Sequence, residues 1–269
     1  MKEFHNKVAV VTGAASGLGK AMALDFARRG MKLVLADIEA EPLAAVEREI
    51  AAAGAECLAR RTDVSQAGSV LDLAEAAFDR FGQVHVLCNN AGVSAGGVAL
   101  AETTLADWEW VLGVNLWGVI HGLNAFLARM IAQGQEAHIV NTASILGMVV
   151  TWPRTAAYVA SKFAVVGLSE ALALELEGTP IGVSVLCPSS VDTRIYESAR
   201  NRPERLRVER PPIDLRARMS TVSANWIGAE EVSTKLMEAI VSNRFYVFTH
   251  ADSGASIDAR VARIRADYP

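Results

Sequence analysis

The chain has 269 residues, of which 51% are hydrophobic and 21% are charged, and its formal net charge is −4 at pH 7. This composition excludes a disordered tail protein, and the acidic balance argues against nucleic acid or an anionic membrane surface as a partner. The length fits one α/β domain, and a small molecule is the expected partner.

No segment predicts a membrane span, a secretion signal or a metal site. Four polar or charged residues interrupt the longest apolar stretch, Trp110 to Ile131, whereas a spanning helix needs roughly 20 unbroken apolar residues. The first apolar run, Val8 to Val11, is too short for a signal-peptide core. The cysteines and histidines lack metal-ligand spacing. We therefore expect a cytoplasmic protein with neither a metal nor a membrane partner.

Apolar runs of strand length alternate with segments of helical periodicity along most of the chain. The predicted strands are Lys7 to Thr12, Lys32 to Asp37, Glu56 to Arg61, Val84 to Asn89, His138 to Thr142, Val183 to Cys187 and Phe245 to Phe248. The predicted helices are Gly17 to Arg29, Pro42 to Ala53, Ser69 to Phe81, Leu105 to Ala132, Ala156 to Glu177 and Glu230 to Ser242, with a short one over Asp258 to Asp267. Continuously apolar strands that alternate with helices are typical of a parallel sheet covered on both faces. We therefore predict an α/β fold in which residues 1–269 form a single doubly wound (Rossmann) domain of about seven strands.

A glycine-rich turn follows the first predicted strand. After Thr12 the chain reads Gly13, Ala14, Ala15, Ser16, Gly17, Leu18 and Gly19, and a helix begins within this run. Glycines allow the backbone to turn tightly and to approach a pyrophosphate, whose charge the unpaired N–H groups of a helix start attract. The turn therefore predicts a dinucleotide-binding site.

Asp37 ends the second predicted strand, where a dinucleotide-binding fold places an acidic residue. A carboxylate there accepts hydrogen bonds from the ribose hydroxyls of NAD, but it repels the additional phosphate of NADP by roughly 4 kcal/mol at a distance of about 4 Å. Its chain neighbours Ala36 and Ile38 provide no compensating cation, and neither does Ser16. We expect NAD as the cofactor; the alternative is that Asp37 is a turn residue at the end of a strand.

Tyr158 and Lys162 lie four residues apart at the start of a predicted helix, so their side chains project from one face. A tyrosine that acts as a base near neutral pH needs a stabilised phenolate, and a neighbouring ammonium group stabilises it. Ser144, at the end of the fifth strand, is placed to hydrogen-bond the same substrate oxygen. Such a pair alone is usually a surface contact, but its combination with the glycine turn and Asp37 indicates a catalytic site.

The sequence resembles the short-chain dehydrogenase/reductase family over nearly its whole length. The motifs that match are the glycine motif Thr12 to Gly19, the adenine-contacting Asp63 followed by Val64, and the turn Asn89, Asn90, Ala91 and Gly92. The family's four catalytic residues correspond to Asn115, Ser144, Tyr158 and Lys162.

The resemblance implies roles for these residues. Asn115 would hold a water in the proton path from Lys162, through a local irregularity of its helix, although an interior asparagine is also explained as a buried polar contact. Lys162 and Tyr158 would also contact the cofactor, as would Pro188, Val191 and Thr193 near the nicotinamide. Ser189 replaces the family's usual glycine, and its Cβ restricts positive φ angles.

The segment from Asp192 to Asn225 loses periodicity and is rich in arginine, glutamate and proline. Residues 192–225 are either a solvated insertion or a substrate loop that covers the site. Apolar residues next to the predicted nicotinamide site are the candidate substrate contacts, namely Ile145, Met148, Trp152, Ile195 and Tyr196. They favour an apolar, cyclic or aromatic secondary alcohol, with packing in the core or between subunits as the alternative for Met148 and Trp152. The stretch Ser198 to Pro203 is similar to dehydrogenases of aromatic secondary alcohols.

We therefore predict an NAD-dependent alcohol dehydrogenase or ketone reductase, with Tyr158 as acid and base. One alternative is an enoyl reductase of the same fold, which the three-residue gap between Tyr158 and Lys162 disfavours; the other is a non-enzymatic dinucleotide sensor or scaffold. The two long predicted helices are apolar over more than one face. Family resemblance implies a homotetramer built on these helices, or else a dimer.

Overall fold

Seven parallel strands form one sheet in a computed structural model that describes residues 1–211, 213–220 and 225–268. The strands are β1 Val8–Thr12, β2 Lys32–Asp37, β3 Cys57–Arg61, β4 Val86–Asn89, β5 Ala137–Thr142, β6 Ile181–Cys187 and β7 Tyr246–Phe248. Their order is β3-β2-β1-β4-β5-β6-β7. The doubly wound fold is thereby confirmed, and the reversal of strand order between β1 and β4 opens a crevice at the carboxyl edge of the sheet, where ligands bind in this fold class.

Helices cover both faces of the sheet. They are α1 Gly17–Arg28, α2 Ala40–Ala52, α3 Ala67–Phe81, α4 Leu105–Leu112, α5 Gly118–Ala132, α6 Ala156–Glu175, α7 Leu215–Ser220, α8 Ala229–Ser242 and α9 Ser253–Ala266. Alternate residues of β1 point to opposite faces, so Val8 and Val10 pack with α3, α5 and α6, whereas Ala9 and Val11 pack with α1, α2 and α8. Continuously apolar strands are thus buried on both sides, as the sequence pattern predicted.

Element boundaries differ from the predictions where other contacts compete for the backbone. Val84 lies outside β4 because the side-chain amide of Gln133 hydrogen-bonds both its N–H, at 2.9 Å, and its carbonyl, at 2.9 Å. The last helix begins at Ser253, earlier than the predicted Asp258.

The long helix predicted over Leu105 to Ala132 is interrupted. A π-helical turn, Gly113–Trp117, separates α4 from α5 and contains Asn115. The expected local irregularity at this residue is therefore present, and π turns of this kind are often found at functional sites.

The segment Leu105–Ala132 and helix α6 are long and apolar enough to cross a membrane by length and composition alone. In the structure, α5 and α6 each pack one side against the sheet, through Phe126 and Val165 for example. Apolar side chains remain exposed nearby, including Trp117 at the end of the π-helical turn and Leu174 on α6.

The predicted insertion 192–225 contains ordered elements in its described part. A 3₁₀ helix spans Arg194–Asn201, which we call the strap; a second spans Glu204–Leu206, and α7 follows. Residues 212 and 221–224 of this segment lie outside the described part of the chain.

Candidate active site

A cavity of about 890 Å³ lies at the carboxyl edge of the sheet, over the crevice between β1 and β4. It is lined from the glycine turn at one end to the start of α6 at the other. The predicted cofactor residues on its wall are Gly13, Ser16, Gly17, Leu18, Asp37, Ile38, Asp63, Val64, Asn90, Ala91, Gly92, Tyr158, Lys162, Pro188, Val191 and Thr193. The fold therefore brings motifs from the ends of five strands and from the start of α6 into one space.

The glycine turn is shaped by two left-handed residues, Gly13 with φ +69° and Gly17 with φ +53°. A Cβ on Gly13 would lie 2.9 Å from the Cα of Ala91, closer than carbon atoms approach. Gly19 does not line the cavity; a Cβ there would lie 2.0 Å from the carbonyl oxygen of Gly13. Gly19 thus allows the helix to pack beneath the turn, while Gly13 and Gly17 shape its surface.

Thr12 joins the glycine turn to the loop after β4. Its Oγ1 accepts hydrogen bonds from the N–H groups of Asn90 at 2.9 Å and Ala91 at 3.1 Å. The Asn90 side chain donates to the Thr12 carbonyl at 2.9 Å. Sequence reasoning named the two motifs separately, and these hydrogen bonds hold them together across the crevice.

Asp37 is fixed by backbone donors on both sides. Its carboxylate accepts hydrogen bonds from the N–H of Ala15 in the glycine turn, at 2.9 Å, and from the N–H of Glu39, at 3.0 Å. Burial raises the pKa of Asp37, and these hydrogen bonds oppose the rise. The carboxylate is thus oriented at the cavity wall.

The expectation that no cation stands near Asp37 holds for its chain neighbours only. The tertiary structure brings Arg200 of the strap against Glu39, with Nη2 to Oε2 at 2.6 Å and Nε to Oε1 at 3.0 Å. Both residues line the cavity. The sequence gives no signal for this pair, because its members are 161 positions apart.

The catalytic candidates Ser144, Tyr158 and Lys162 converge at the other end of the cavity. Ser144 caps the 3₁₀ helix Ile145–Gly147, and its Oγ accepts a hydrogen bond from the N–H of Leu146 at 3.1 Å. Lys162 is buried; its Nζ donates to the carbonyl of Thr142 at 2.8 Å and lies 5.6 Å from the ring centroid of Tyr158. The three side chains are thus held by β5 and the first turns of α6.

The electrostatics of this group differ from the expectation. Burial raises the pKa of Tyr158 to about 12, although a hydrogen bond with Ser144 opposes the rise. Burial likewise lowers the pKa of Lys162 to about 8. Burial thus favours the protonated phenol of Tyr158, while the ammonium of Lys162 hydrogen-bonds the Thr142 carbonyl.

Asn115 is fully buried and does not line the cavity. Its amide pairs with the backbone of Val93, accepting from its N–H at 2.8 Å and donating to its carbonyl at 3.0 Å, and also donates to Ser161 Oγ at 3.1 Å. A Cβ on the intervening Gly92 would lie 3.5 Å from Asn115 Oδ1 and 3.7 Å from Lys162 Nζ. The side chain thus anchors the loop beside Lys162, as the buried-contact alternative anticipated.

The backbone near the predicted nicotinamide end tolerates Ser189. This residue is not among the non-glycine residues with positive φ, which in the described part of the chain are Asn6, Arg154 and Asn243. Its N–H donates to Thr249 Oγ1 at 3.2 Å. A serine therefore meets no backbone strain at this position.

The candidate substrate residues divide into two groups. Ile145, Trp152, Ile195 and Tyr196 line the cavity, whereas Met148 packs against the core cluster under α6. Tyr196 makes an edge contact with Trp226, with ring centroids 5.6 Å apart. Sequence reasoning missed Trp110 and Leu215, which also line the cavity, because their helical periodicity is that of core residues.

This arrangement fits a dinucleotide. Close packing on Ala91 and Thr193 leaves little room for a Cβ at Gly13 or Gly17, and α1 begins within the turn at Gly17. The Asp37 carboxylate lies at the end of β2, where this fold class recognises a ribose. Across residues 1–211, 213–220 and 225–268, no cluster of three or more His, Cys, Asp or Glu side chains suits a metal ion.

Comparison with known proteins adds independent evidence. The family described as short chain dehydrogenase matches residues 7–204. The CLA biosynthesis dehydrogenase/reductase of Lactiplantibacillus plantarum is 36% identical over 99% of this chain and 96% of its own length. The 1-deoxy-11-beta-hydroxypentalenate dehydrogenase of Streptomyces avermitilis is 38% identical over 91% of this chain and 85% of its own.

A solved structure agrees with these relatives. A short chain dehydrogenase/reductase from Burkholderia phymatum, crystallised in complex with NAD, is 45% identical and superposes with a TM-score of 0.94, covering 100% of this chain and 98% of that one. The match extends over the whole sheet and the cavity at its edge. By sequence and by structure, this chain is an oxidoreductase that belongs to the short-chain dehydrogenase family.

Proposed function

We propose that this protein is an NAD-dependent dehydrogenase/reductase that interconverts an apolar secondary alcohol and its ketone. The observation that carries the proposal is the convergence of Ser144, Tyr158 and Lys162 in the cavity that also contains the glycine turn and Asp37. Similarity to the NAD-bound relative supports NAD as the cofactor. A donor, an acid/base and a buried cation in one cleft suit proton transfer coupled to redox chemistry.

The residues have distinct tasks. The glycine turn and the start of α1 would hold the pyrophosphate, Asp37 the adenosine ribose, and Lys162 the nicotinamide ribose. NAD supplies the hydride acceptor when it is bound. Ser144 would hydrogen-bond the substrate oxygen, and Tyr158 would give that oxygen a proton in reduction or take one in oxidation. Lys162 would carry the positive charge that stabilises the tyrosinate formed in reduction.

Asn115 would assist the proton path through its backbone. Its side chain is occupied by Val93 and Ser161, so a water would be held by a main-chain carbonyl of the π-helical turn. The i to i+5 pairing there displaces carbonyls from their α-helical partners. This supports the role that the family resemblance implied.

The substrate is an apolar, cyclic or aromatic alcohol or ketone. Ile145, Trp152, Ile195 and Tyr196 give the cavity wall apolar and aromatic character next to Tyr158. The Streptomyces relative is named for a hydroxylated substrate, which supports an alcohol as the reacting group. Residues 192–225 would form the substrate loop, with the strap and α7 contributing to the cavity.

The test is a panel of alcohols and ketones assayed by NADH absorbance with wild type, Tyr158→Phe and Tyr268→Phe. Wild type should turn over aryl and cyclic secondary alcohols, and Tyr158→Phe should lose activity by at least about 100-fold while it still binds NADH. Tyr268 is exposed in the C-terminal segment, so Tyr268→Phe should behave as wild type. Full activity of Tyr158→Phe would overturn the assignment of the acid/base.

Two outcomes of the same panel would point elsewhere. NADH binding without turnover of any alcohol or ketone would favour a dinucleotide sensor or scaffold. Reduction of conjugated double bonds in place of carbonyl groups would favour an enoyl reductase.

We also propose that the protein is a cytoplasmic homotetramer, or else a dimer, whose subunit contacts are formed by α4 to α6. Trp117 and Leu174 are 52% and 68% exposed on these helices, and an apolar surface of this kind commonly meets another subunit. Light scattering after size exclusion gives the mass directly, and a monomer at micromolar concentration would contradict the assembly.

A further inference from the structure

The strap crosses the carboxyl edge of the sheet and is held there by two side-chain contacts. It begins after Thr193, over the glycine turn, where a Cβ on Gly17 would lie 3.1 Å from the Cβ of Thr193. In its middle, Ser198 Oγ accepts from the N–H of Ser94 at 2.9 Å. Near its end, Arg200 pairs with Glu39. The chain therefore runs from β6 across the crevice to the end of β2.

The Arg200–Glu39 pair has the geometry of a specific contact. Two guanidinium nitrogens of Arg200 bind the two carboxylate oxygens of Glu39, at 2.6 and 3.0 Å. The remaining terminal nitrogen donates to the carbonyl of Arg194 at 3.1 Å, which braces the guanidinium within the strap. Hydrogen bonding to Arg200 lowers the pKa of Glu39. A bidentate, braced pair of this kind is stronger than an ordinary surface pair.

Its location connects the strap to the adenosine end of the site. The N–H of Glu39 donates to Asp37 Oδ1, while its side chain pairs with Arg200 of the strap. The same residue therefore orients the carboxylate proposed to bind the ribose and contacts the strap. Side-chain exposure is 25% for Arg200 and 18% for Glu39, whereas the pair Arg207–Glu204 nearby is 71% and 78% exposed. The pair thus closes one wall of the cavity that the dinucleotide would occupy.

We propose that Arg200 and Glu39 form a latch that holds the strap across the cofactor cleft and retains the bound dinucleotide. This inference rests on the proposed function, since it requires a dinucleotide in the cleft. Opening of the latch precedes release of NADH, and both residues act as positioning residues without contact with the reacting atoms.

The experiment measures the NADH dissociation rate by stopped-flow, from the fluorescence of bound NADH. Excess NAD, which is not fluorescent, prevents rebinding. The variants are Arg200→Gln, Glu39→Gln, their double mutant and Arg200→Lys, with Arg207→Gln as the matched control in an exposed pair. Each single Gln variant should accelerate release by about fivefold, and the double mutant should add little, because both remove the same interaction. Arg200→Lys keeps the charge but loses the bidentate geometry and should be intermediate.

The outcomes separate the latch from a structural contact and from the proposed function. Release rates of both Gln variants within about twofold of wild type, or fully additive effects in the double mutant, would overturn the latch. A lower melting temperature of the cofactor-free variants with unchanged NADH release would assign the pair a purely structural role and overturn it too. Absence of NADH binding by wild type would reject the proposed function itself.

Discussion

The carboxylate of Asp107, in the first turn of α4, accepts a 2.6 Å hydrogen bond from the guanidinium of Arg202, which lies 95 positions later in the chain. Asp107 is completely buried, and its carboxylate also accepts hydrogen bonds from the guanidinium of Arg210 and from the N–H of the capping residue Thr104. The Arg202 guanidinium stacks on Trp110, 5.0 Å from its ring centroid. Asp107 therefore fastens the segment after the strap to the body of the fold.

Asp107→Asn should destabilise the protein by about 3 kcal/mol, because it leaves two arginines beside a neutral amide in a buried site. Urea unfolding at pH 7 measures this change. Glu109→Gln is the matched control on the same helix; its pair with Arg205 is exposed, so its loss should cost less than about 1 kcal/mol. Equal effects of the two substitutions would show that burial does not strengthen the Asp107 contact.

The same contact predicts a loss of stability in acid. Burial opposes ionisation of Asp107, but hydrogen bonds from Arg202, Arg210 and Thr104 outweigh it and lower its pKa to about 2. Because the unfolded pKa is about 3.9, the stabilisation is complete above that pH and is lost as pH falls through about 2. The stability difference between wild type and Asp107→Asn should therefore shrink between about pH 4 and pH 2, and a constant difference would contradict the assignment.

Alcohol oxidation and ketone reduction should respond differently to pH. Since the pKa of Tyr158 is raised to about 12 by burial, the protonated form that donates to a ketone dominates at neutral pH. Oxidation needs the phenolate, and at pH values below the pKa the phenolate fraction increases about tenfold for each unit by which the pH rises. Initial rates from about pH 7 to 9 should rise for oxidation and should not rise for reduction. An oxidation rate that is flat over this range would exclude Tyr158 as the base.

Asp37→Ser should weaken discrimination against NADP. The substitution removes the negative charge that is proposed to face the ribose, so the ratio of kcat/KM for NAD over that for NADP should fall by about tenfold or more. A ratio is insensitive to the fraction of folded enzyme. Asp72→Ser, on the exposed side of α3, is the control and should leave the ratio unchanged. An unchanged ratio in Asp37→Ser would show that another group determines the preference for NAD.

Local sequence determined the parts of the site that lie within one strand, turn and helix. Gly13 and Gly17 adopt positive φ in the turn where the glycine pattern was read, and Tyr158 and Lys162 share a face because four residues make about one helical turn. The doubly wound fold was predicted from the alternation of apolar strands and helices. These features depend on backbone sterics and periodicity, which act between near neighbours in the chain.

Other local patterns were ambiguous until the sheet placed them. Met148 and Trp152 are both apolar residues in the loop after β5, yet Trp152 lines the cavity and Met148 packs on the core. Gly19 belongs to the glycine motif but serves helix packing. Hydrophobicity predicts burial in each case, and it does not specify which buried surface the residue meets.

The long-range ion pairs were decided by tertiary structure alone. Glu39 meets Arg200 and Asp107 meets Arg202 only because the strap crosses the sheet edge from β6 to β2 and then passes α4. Within the sequence, these arginines are members of a mixed-charge segment, residues 192–225, that carries eight arginines and five acidic residues. The composition, motifs and periodicity thus predicted the fold, the glycine turn and the candidates Ser144, Tyr158 and Lys162. The pairing of distant charges depended on the path of a loop, because spatial proximity and burial decide which charges meet.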